Sequence, residues 1–305
     1  MRNTFADTLY EAGQNDKRVA IVVADISPAG SMQKFRDEFP ERFVNTGVAE
    51  QIMIGLCAGM ALRGLRPFAY TIATFTFYRP FEFVRDDLCY QNLPVTIVGI
   101  GGGLAYSTLG GTHHAQEDVV LAAALPNMTV LAPCDPAETR QATLWCTTQE
   151  RGPVYLRLGK AGEPDLTSRS AEPFVFGTLR YLQRGSDVCI LSYGPILKLA
   201  ADLARRFEAR GESVSLVSAH TLKPLDTDGV VAALQSHRRV VVIEEAAPYA
   251  LGLRVKALAW EAKASCRLDT FALQDQFIHS YGAPAELLAA HGLELGAIAA
   301  RLGLA

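Results

Sequence analysis

Several features that would define a protein class are missing from this sequence of 305 residues. No stretch reaches 18 uninterrupted apolar residues and no apolar segment lies near the N-terminus, so we predict neither a membrane span nor a secretory leader. The net charge is −3 with no basic stripe, which argues against a nucleic-acid partner. The six cysteines are scattered without a Cys-x-x-Cys pair, which excludes a zinc spacing or a disulfide framework. We expect free, buried thiols in a cytoplasmic protein.

Short apolar runs rich in β-branched residues alternate with helical segments along the whole chain, which predicts an α/β fold with parallel sheets. A polar segment with two prolines, GKAGEPDLTSRSAEPFVFG, interrupts this alternation. We therefore predict two doubly wound sheet domains, residues 1–165 and 179–305, joined by a linker over 166–178. Length and composition allow two cores, since 49% of the residues are hydrophobic.

Three segments predict particular secondary-structure elements. The run from 49 to 63 is apolar on all sides and predicts a fully buried helix. The segment 77–91 is helix-like, with Pro80 placed in its first turn. The run SVSLVSAHTL at 213–222 predicts a single strand.

One acidic residue, Glu50, stands at the start of the apolar helix, in NTGVAEQIMIGLCAGMALRG. An acid at that position can simply stabilise the helix N-terminus. The alternative is a carboxyl group held out of water for chemistry. The helical pattern alone does not separate these two interpretations.

Aromatic residues crowd the strand-to-helix junction TIATFTFYRPFEF, including Phe75, Tyr78 and Phe81. They form either a core cluster or a surface on which a flat heterocycle stacks. A glycine-rich loop then brings His113 and His114 to a helix start, at the carboxyl end of a strand where α/β proteins bind ligands. This loop lacks the Gly-x-Gly-x-x-Gly dinucleotide pattern.

Two basic residues, Arg157 and Lys160, follow a strand in GPVYLRLGK. They are either solvated charges or an anion-binding pair.

Taken together, these segments resemble one enzyme family. FVNTGVAEQIMIGLCAGMALRG, GGTHHAQEDVVLAAALP and GPVYLRLGK are similar to the C-terminal half of transketolases and 1-deoxyxylulose-5-phosphate synthases. TLKPLD, VVVIEEA and the closing FALQDQFIHSYGAPAELLAAHGL resemble the family's terminal domain. The resemblance covers essentially the whole chain and implies a pyrimidine-binding domain followed by a transketolase C-terminal-like domain.

The resemblance implies thiamine diphosphate as the cofactor, bound between domains of different protomers. Glu50 matches the glutamate that contacts N1′ of the aminopyrimidine, where a carboxyl group removed from water can share a proton with the ring. Phe75 matches the ring that stacks on the aminopyrimidine. Tyr78 and Phe81 match further aromatic contacts, and Asp25 resembles a residue of a turn near the cofactor.

The same comparison assigns substrate-binding residues. His113 matches the catalytic histidine of a Thr-His-Gln motif, with His114 in place of the glutamine. Lys160 stands where the family often has an arginine for the substrate phosphate, and Arg157 is a neighbouring candidate. A second family histidine falls near Gly101 and an acid near Leu109, so both are replaced here. These losses imply a less hydroxylated or bulkier acceptor than an ordinary sugar phosphate.

The sequence lacks the family's Gly-Asp-Gly…Asn motif, which holds the diphosphate and its Mg²⁺. We therefore expect this chain to be one subunit of a split enzyme, active only in an α2β2 heterotetramer with a diphosphate-binding subunit. The expected activity is two-carbon ketol transfer between a ketose or ketose phosphate and an aldehyde-type acceptor. The alternatives are the β subunit of a 2-oxo-acid dehydrogenase and a non-catalytic partner that only stabilises a homologous subunit.

Overall fold

The computed structural model describes residues 1–26, 30 and 32–304. Twelve strands within this part of the chain form two sheets: β1 (Val19–Val23), β2 (Phe43–Asn45), β3 (Arg66–Ile72), β4 (Thr96–Ile100), β5 (Thr129–Leu131), β6 (Val154–Leu158), β7 (Arg180–Gln183), β8 (Val188–Ser192), β9 (Val214–Ser218), β10 (Thr221–Lys223), β11 (Arg239–Ile243) and β12 (Arg267–Phe271). The helices of the same residues are α1 (Arg2–Asn15), α2 (Met32–Glu38), α3 (Glu50–Leu62), α4 (Ala73–Phe77), α5 (Phe81–Phe83), α6 (Asp118–Ala124), α7 (Pro136–Thr148), α8 (Leu197–Glu208), α9 (Thr227–Ser236), α10 (Leu251–Glu261), α11 (Pro284–Ala290) and α12 (Leu295–Leu302).

The first sheet has the strand order β10-β5-β6-β4-β3-β1-β2, and the second has the order β12-β11-β8-β9-β7. All pairs are parallel except β10 with β5 and β7 with β9. Every residue of β1, β4 and β6 is buried, as expected for strands covered by helices on both faces. The predicted α/β fold with two sheets is confirmed.

The topology of the first sheet gathers the site-bearing loops at one edge. Strands β1, β2, β3, β4 and β6 are parallel, so their carboxyl ends face the same way. The segments that follow them contain Asp25, Glu50, Phe75, His113 and Lys160 respectively. Ligands of open α/β sheets bind at this edge.

The prediction of one strand over 213–222 is wrong. Residues Val214–Ser218 form β9 in the second sheet, whereas Thr221–Lys223 form β10 in the first. The chain changes sheets at Ala219 and His220, and the backbone N–H of Ala132 donates to the carbonyl of His220. A continuous apolar run gives no sign that the chain passes from one sheet to the other, because both halves of the run are apolar.

Helix α3 also departs from its prediction. Its inner face is buried, but Ile52 is 62% exposed and Leu62 is 63% exposed, with Val48 and Leu56 also exposed. The helix predicted over 77–91 is interrupted as well, because α4 ends before Pro80 and a π-helical turn over Val84–Tyr90 follows α5. The outer face of α3 is therefore apolar and exposed in this chain.

The segment between the sheets is irregular but anchored. One carboxylate oxygen of Asp135 accepts the backbone N–H groups of Leu166 (2.8 Å) and Thr167 (2.7 Å). The other oxygen accepts the N–H of Glu138 and so caps α7, as the Asp-Pro pattern indicates.

The domain bounds at 165 and 179 stay a prediction. Within the described residues, no helix has the length and apolar content needed to cross a bilayer.

Candidate active site

The Glu50 side chain is 3% exposed although it belongs to the first residue of α3. No side chain caps this helix start, and Oε1 of Glu50 accepts a hydrogen bond from Nη1 of Arg79 at 2.7 Å. The carboxylate is therefore buried against a guanidinium, and this hydrogen bond serves the ion pair rather than the helix N-terminus.

Two further side chains meet around this ion pair. The guanidinium carbon of Arg79 lies 4.0 Å from the ring centroid of Phe75. The His113 ring packs edge-on against Phe75, with the centroids 5.0 Å apart and the planes at 73°. We call Glu50, Phe75, Arg79 and His113 the Phe75 cluster. It brings together three residues that the sequence predicted and one that it did not.

Local structure explains how the Phe75 cluster forms. Phe75 lies in α4, directly after β3, and Arg79 follows four residues later, where a helical turn puts the two side chains on the same face. His113 ends the 3₁₀ turn Gly111–His113 in the loop after β4. Its Nδ1 lies 3.0 Å from Oγ1 of Thr112, which restrains the ring.

The electrostatic setting keeps the His113 ring neutral near pH 7. Burial lowers the pKa of His113, and the positive charge of Arg79 lowers it further. A neutral imidazole carries one nitrogen that donates and one that accepts, so it can exchange a proton with a substrate oxygen.

Tyr78 and Phe81 stand beside the Phe75 cluster within the framework of the domain. The Tyr78 hydroxyl donates to Oε2 of Glu117 at 2.8 Å and accepts the Glu117 backbone N–H at 3.1 Å. Phe81 packs against Phe77 with the ring centroids 5.8 Å apart. Tyr78 thus ties the turn after α4 to the start of α6, and Phe81 packs against the end of α4.

Asp25 lies at the same sheet edge, exposed, with φ of 46°. Its backbone N–H donates to Oδ1 of Asn45 at 3.0 Å, which ties the end of β1 to the end of β2. This contact positions the turn but does not join Asp25 to the Phe75 cluster.

Lys160 is exposed, and the Tyr106 ring lies close to both Lys160 and His113 of the Phe75 cluster. Its Nζ lies 4.7 Å from the Tyr106 ring centroid, and that ring lies 6.3 Å from the ring of His113. Lys160 also lines a groove of about 890 Å³ between the two halves of the chain. An anionic substrate group near His113 would have this ammonium within reach.

Arg157 and His114 are both buried, and their substrate-binding role stays a prediction. Arg157 is buried, donates to Oδ2 of Asp118 at 2.8 Å and to the carbonyl of Glu245 at 2.8 Å, and so joins the two halves of the chain. Its charge is satisfied internally. The ring of His114 is also buried, and burial lowers its pKa. The turn that points His113 at Phe75 points the next residue inward.

Sequence reasoning missed Arg79 and Tyr106. A Cβ at Gly101 would lie 2.2 Å from the Tyr106 ring, so this ring fills the space beside Gly101, where the family has a histidine. The spacing of Arg79 four residues after Phe75 was the available signal, since it predicts stacking on one helical face. Among the described residues, no group of three or more His, Cys, Asp or Glu side chains could hold a metal ion.

Comparisons with known protein families match both halves of the chain. The domain described as "Transketolase, pyrimidine binding domain" matches residues 1–162, and "Transketolase, C-terminal domain" matches residues 177–298.

Curated relatives include subunits of two transketolases. An apulose-4-phosphate transketolase subunit of Phocaeicola vulgatus is 32% identical over 244 residues, covering 80% of this chain and 78% of the relative. The 6-deoxy-6-sulfo-D-fructose transketolase subunit SqwH of Clostridium sp. (strain MSTE9) is 34% identical over 246 residues, covering 81% and 76%. A 1-deoxy-D-xylulose-5-phosphate synthase of Acaryochloris marina is 31% identical over 304 residues, and the match spans 47% of its length.

Solved structures agree with this assignment. A split-gene transketolase described as an inactive beta4 tetramer superposes with a TM-score of 0.88 at 34% identity, over 99% of this chain and 98% of the other. A Pichia stipitis transketolase complex with sedoheptulose-7-phosphate shares the fold, with a TM-score of 0.82 at 20% identity, over 99% of this chain and 45% of that one. The chain therefore belongs to the transketolase family and comprises its pyrimidine-binding and C-terminal domains.

Proposed function

We propose that this chain is the pyrimidine-binding subunit of a split, thiamine-diphosphate-dependent transketolase. The enzyme transfers a two-carbon ketol unit from a ketose or ketose phosphate to an aldehyde-type acceptor. The observation that carries the proposal is the Phe75 cluster, in which a buried carboxylate, a stacking ring and a neutral histidine meet at the carboxyl edge of a parallel sheet.

The Phe75 cluster fits the aminopyrimidine end of the cofactor. A flat, nitrogen-rich group, the Arg79 guanidinium, already stacks on Phe75 and donates a hydrogen bond to Glu50. An aminopyrimidine is also flat and carries a ring nitrogen that can share a proton with a carboxyl group. When bound, thiamine diphosphate supplies a carbon nucleophile and an electron sink.

The residues of this chain then have distinct tasks. Glu50 holds a proton at the ring nitrogen, and Phe75 fixes the plane of the ring. His113 hydrogen-bonds substrate oxygens and moves a proton to or from them. Lys160 attracts the phosphate of a phosphorylated substrate.

The outer cofactor contacts are assigned by family resemblance. Tyr78 and Phe81 are proposed to complete the aromatic surface, and Asp25 is a proposed neighbour of the cofactor. The diphosphate and its Mg²⁺ are assigned to the partner subunit, since Mg²⁺ prefers phosphate and carboxylate oxygens and the diphosphate motif is absent from this sequence.

The exposed face of α3 is the proposed contact with the rest of the assembly. Ile52 and Leu56 present apolar side chains there, and a Cβ at Gly59 would meet no atom beyond the adjacent backbone of its own helix within 4 Å. A bare glycine allows another backbone to approach closely. Burying each large apolar side chain contributes about 1.5–3 kcal/mol, which favours association over exposure. Glu50 begins this same helix, so a partner seated on it would lie next to the cofactor site.

The acceptor side of the site is less polar than the family pattern. Tyr106 fills the space beside Gly101, and Leu109 is exposed where the family has an acid. We propose an acceptor that carries fewer hydroxyl groups, or more bulk, near the reacting carbonyl. The relatives named for apulose-4-phosphate and a 6-deoxy-6-sulfo sugar indicate that related subunits serve uncommon sugars.

The test is reconstitution with a diphosphate-binding subunit, followed by assays for aldehyde-dependent ketol transfer and for oxidative decarboxylation of 2-oxo acids. We expect ketol transfer from the mixture and none from this chain alone. Turnover by this chain alone would refute the split enzyme. Activity confined to 2-oxo acids would favour the dehydrogenase β-subunit alternative.

A further inference from the structure

Arg79 makes both contacts that the proposed function assigns to the aminopyrimidine. Its guanidinium carbon lies 4.0 Å from the Phe75 ring centroid, and its Nη1 lies 2.7 Å from Oε1 of Glu50. A guanidinium is planar, stacks on aromatic rings and donates to carboxylates in a fixed geometry. One side chain thus reproduces the stacking partner and the hydrogen-bond donor at once.

The ring and the guanidinium cannot share this place. Glu50 is almost wholly buried, and its carboxylate pairs with Arg79. A second planar group on the same face of Phe75 would overlap the guanidinium. Entry of one group requires departure of the other.

Arg79 is able to leave. Its side chain is 44% exposed, whereas the side chain of Glu50 is 3% exposed. It is attached to the turn between α4 and α5, just before Pro80, and has a long flexible stem. Moving the guanidinium into solvent breaks one ion pair and one stacking contact without disturbing a strand or a long helix.

We propose that Arg79 is a built-in occupant of the pyrimidine site, which thiamine diphosphate displaces when it binds. This inference rests on the proposed function. Before loading, Arg79 neutralises the buried carboxylate and covers the Phe75 ring. Displacement also frees the Glu50 carboxyl group to hydrogen-bond the ring nitrogen.

The proposal predicts a binding cost. Only molecules with Arg79 swung out accept the ring, so the apparent dissociation constant is the intrinsic one divided by the open fraction. Replacing Arg79 with a residue that cannot stack removes this competition. The cofactor should then bind more tightly and associate faster.

The experiment uses this chain assembled with the diphosphate-binding subunit and measures thiamine diphosphate binding, in the presence of Mg²⁺, by calorimetry and stopped-flow fluorescence. We expect Arg79→Gln to bind on the order of tenfold more tightly than wild type, because the site is permanently open. Arg79→Lys keeps the positive charge but lacks the planar fork, so it should also bind more tightly. Arg85→Gln is the matched control, because Arg85 is 62% exposed and pairs with Asp86 outside the Phe75 cluster. Its binding should equal that of wild type.

Unchanged or weaker binding by both Arg79 variants overturns the proposal, since Arg79 would then be neutral or a cofactor ligand. A wild-type complex that binds no thiamine diphosphate refutes the proposed function itself, so the two failures are distinct. If the variants do not assemble, structures of the wild-type complex with and without cofactor decide the question. Arg79 must leave the Phe75 face on loading, and its persistence there beside bound cofactor overturns the proposal.

Discussion

At the scale of single residues, Glu50 shows why an acid stands at the start of an apolar helix. Its carboxylate is removed from water yet faces the carboxyl edge of the sheet, beside Phe75 and His113. Isolated charges are too costly to bury, and Arg79 offsets that cost in the chain as it stands. An acid needed only for helix stability would gain nothing from this burial.

Replacing Glu50 with Gln removes the exchangeable proton while keeping the shape of the side chain. We expect kcat of the assembled enzyme to fall by at least about 100-fold, the usual contribution of a positioned general acid or base. Circular dichroism of the variant should match wild type. Glu82→Gln, at an exposed position on α5, is the control and should keep its activity. A Glu50→Gln enzyme with wild-type turnover would exclude the catalytic role.

The ion pair between Glu50 and Arg79 is expected to couple the two residues in the isolated chain. Arg79→Gln should lower the free energy of unfolding by about 1–3 kcal/mol, because it leaves a buried carboxylate without its partner. In a Glu50→Gln background the same change should cost clearly less. Urea unfolding of the four chains of the double-mutant cycle measures this, and additive effects would show that the pair is not formed.

Glu244 is expected to make stability depend on pH. Burial raises the pKa of Glu244 to about 7, although its carboxyl group accepts the N–H groups of Leu251 and Gly252 and the Tyr193 hydroxyl. The folded protein therefore binds this proton more tightly than the unfolded chain does. The stabilising contribution is full below about pH 4.5 and is lost as the pH rises through about 7.

Wild type and Glu244→Gln should thus have similar unfolding free energies at about pH 5. At about pH 8, wild type should be less stable than the variant by a few kcal/mol, since one pKa unit corresponds to about 1.4 kcal/mol. Chemical denaturation at both pH values measures the difference. Glu261→Gln, at the exposed end of α10, is the control and should follow wild type. If the unfolding free energies of wild type and Glu244→Gln changed equally between the two pH values, the raised pKa of Glu244 would be contradicted.

At the scale of elements, α3 bears on both parts of the proposal, because its N-terminus carries Glu50 and its outer face is apolar and exposed. Ile52→Lys should leave the fold and stability of the chain nearly unchanged, since the position is exposed here. It should weaken assembly by about 100-fold or more, because an unpaired charge would be buried in the interface. Sedimentation velocity with the partner subunit measures this.

The matched control for that change is Leu253→Lys, on the exposed face of α10. We expect this variant to assemble as wild type does. Equal assembly by Ile52→Lys and wild type would show that the α3 face is not the contact.

The differences between predicted and observed elements have physical causes. Alternating apolar runs were enough to predict the parallel sheets and the edge that carries the site, because burial on both faces leaves a clear pattern. The apolar pattern of α3 could not distinguish a fully buried helix from one with an exposed apolar face. The run 213–222 could not reveal a change of sheet, since β9 and β10 are both apolar.

The site residues also differ in how far the sequence predicts their surroundings. Glu50, Phe75 and His113 were predicted together because a family resemblance fixed their roles, and the structure places them in contact through Arg79 and the Phe75 ring. The inward orientation of Arg157 and His114 could not be predicted, because position after a strand or in a loop does not say which way a side chain points. The Arg157 side chain points inward because it is buried and paired with Asp118.

At the scale of the whole molecule, the proposal gives this chain one side of a cofactor site. Two α/β sheets, linked where β10 joins the first sheet, position the Phe75 cluster, and a large groove lies between them. The sequence offers no diphosphate motif, and the face of α3 next to Glu50 is apolar and open. These observations agree with an enzyme whose site is completed only by assembly.

The most direct measurement is a crystal structure of the assembled enzyme with thiamine diphosphate and Mg²⁺. Our account predicts a Glu50 carboxyl oxygen at a hydrogen-bond distance of about 2.7–3.2 Å from N1′ of the aminopyrimidine, with that ring stacked on Phe75. It also predicts the diphosphate on the partner subunit. An aminopyrimidine bound elsewhere, with Glu50 out of its reach, would contradict the account.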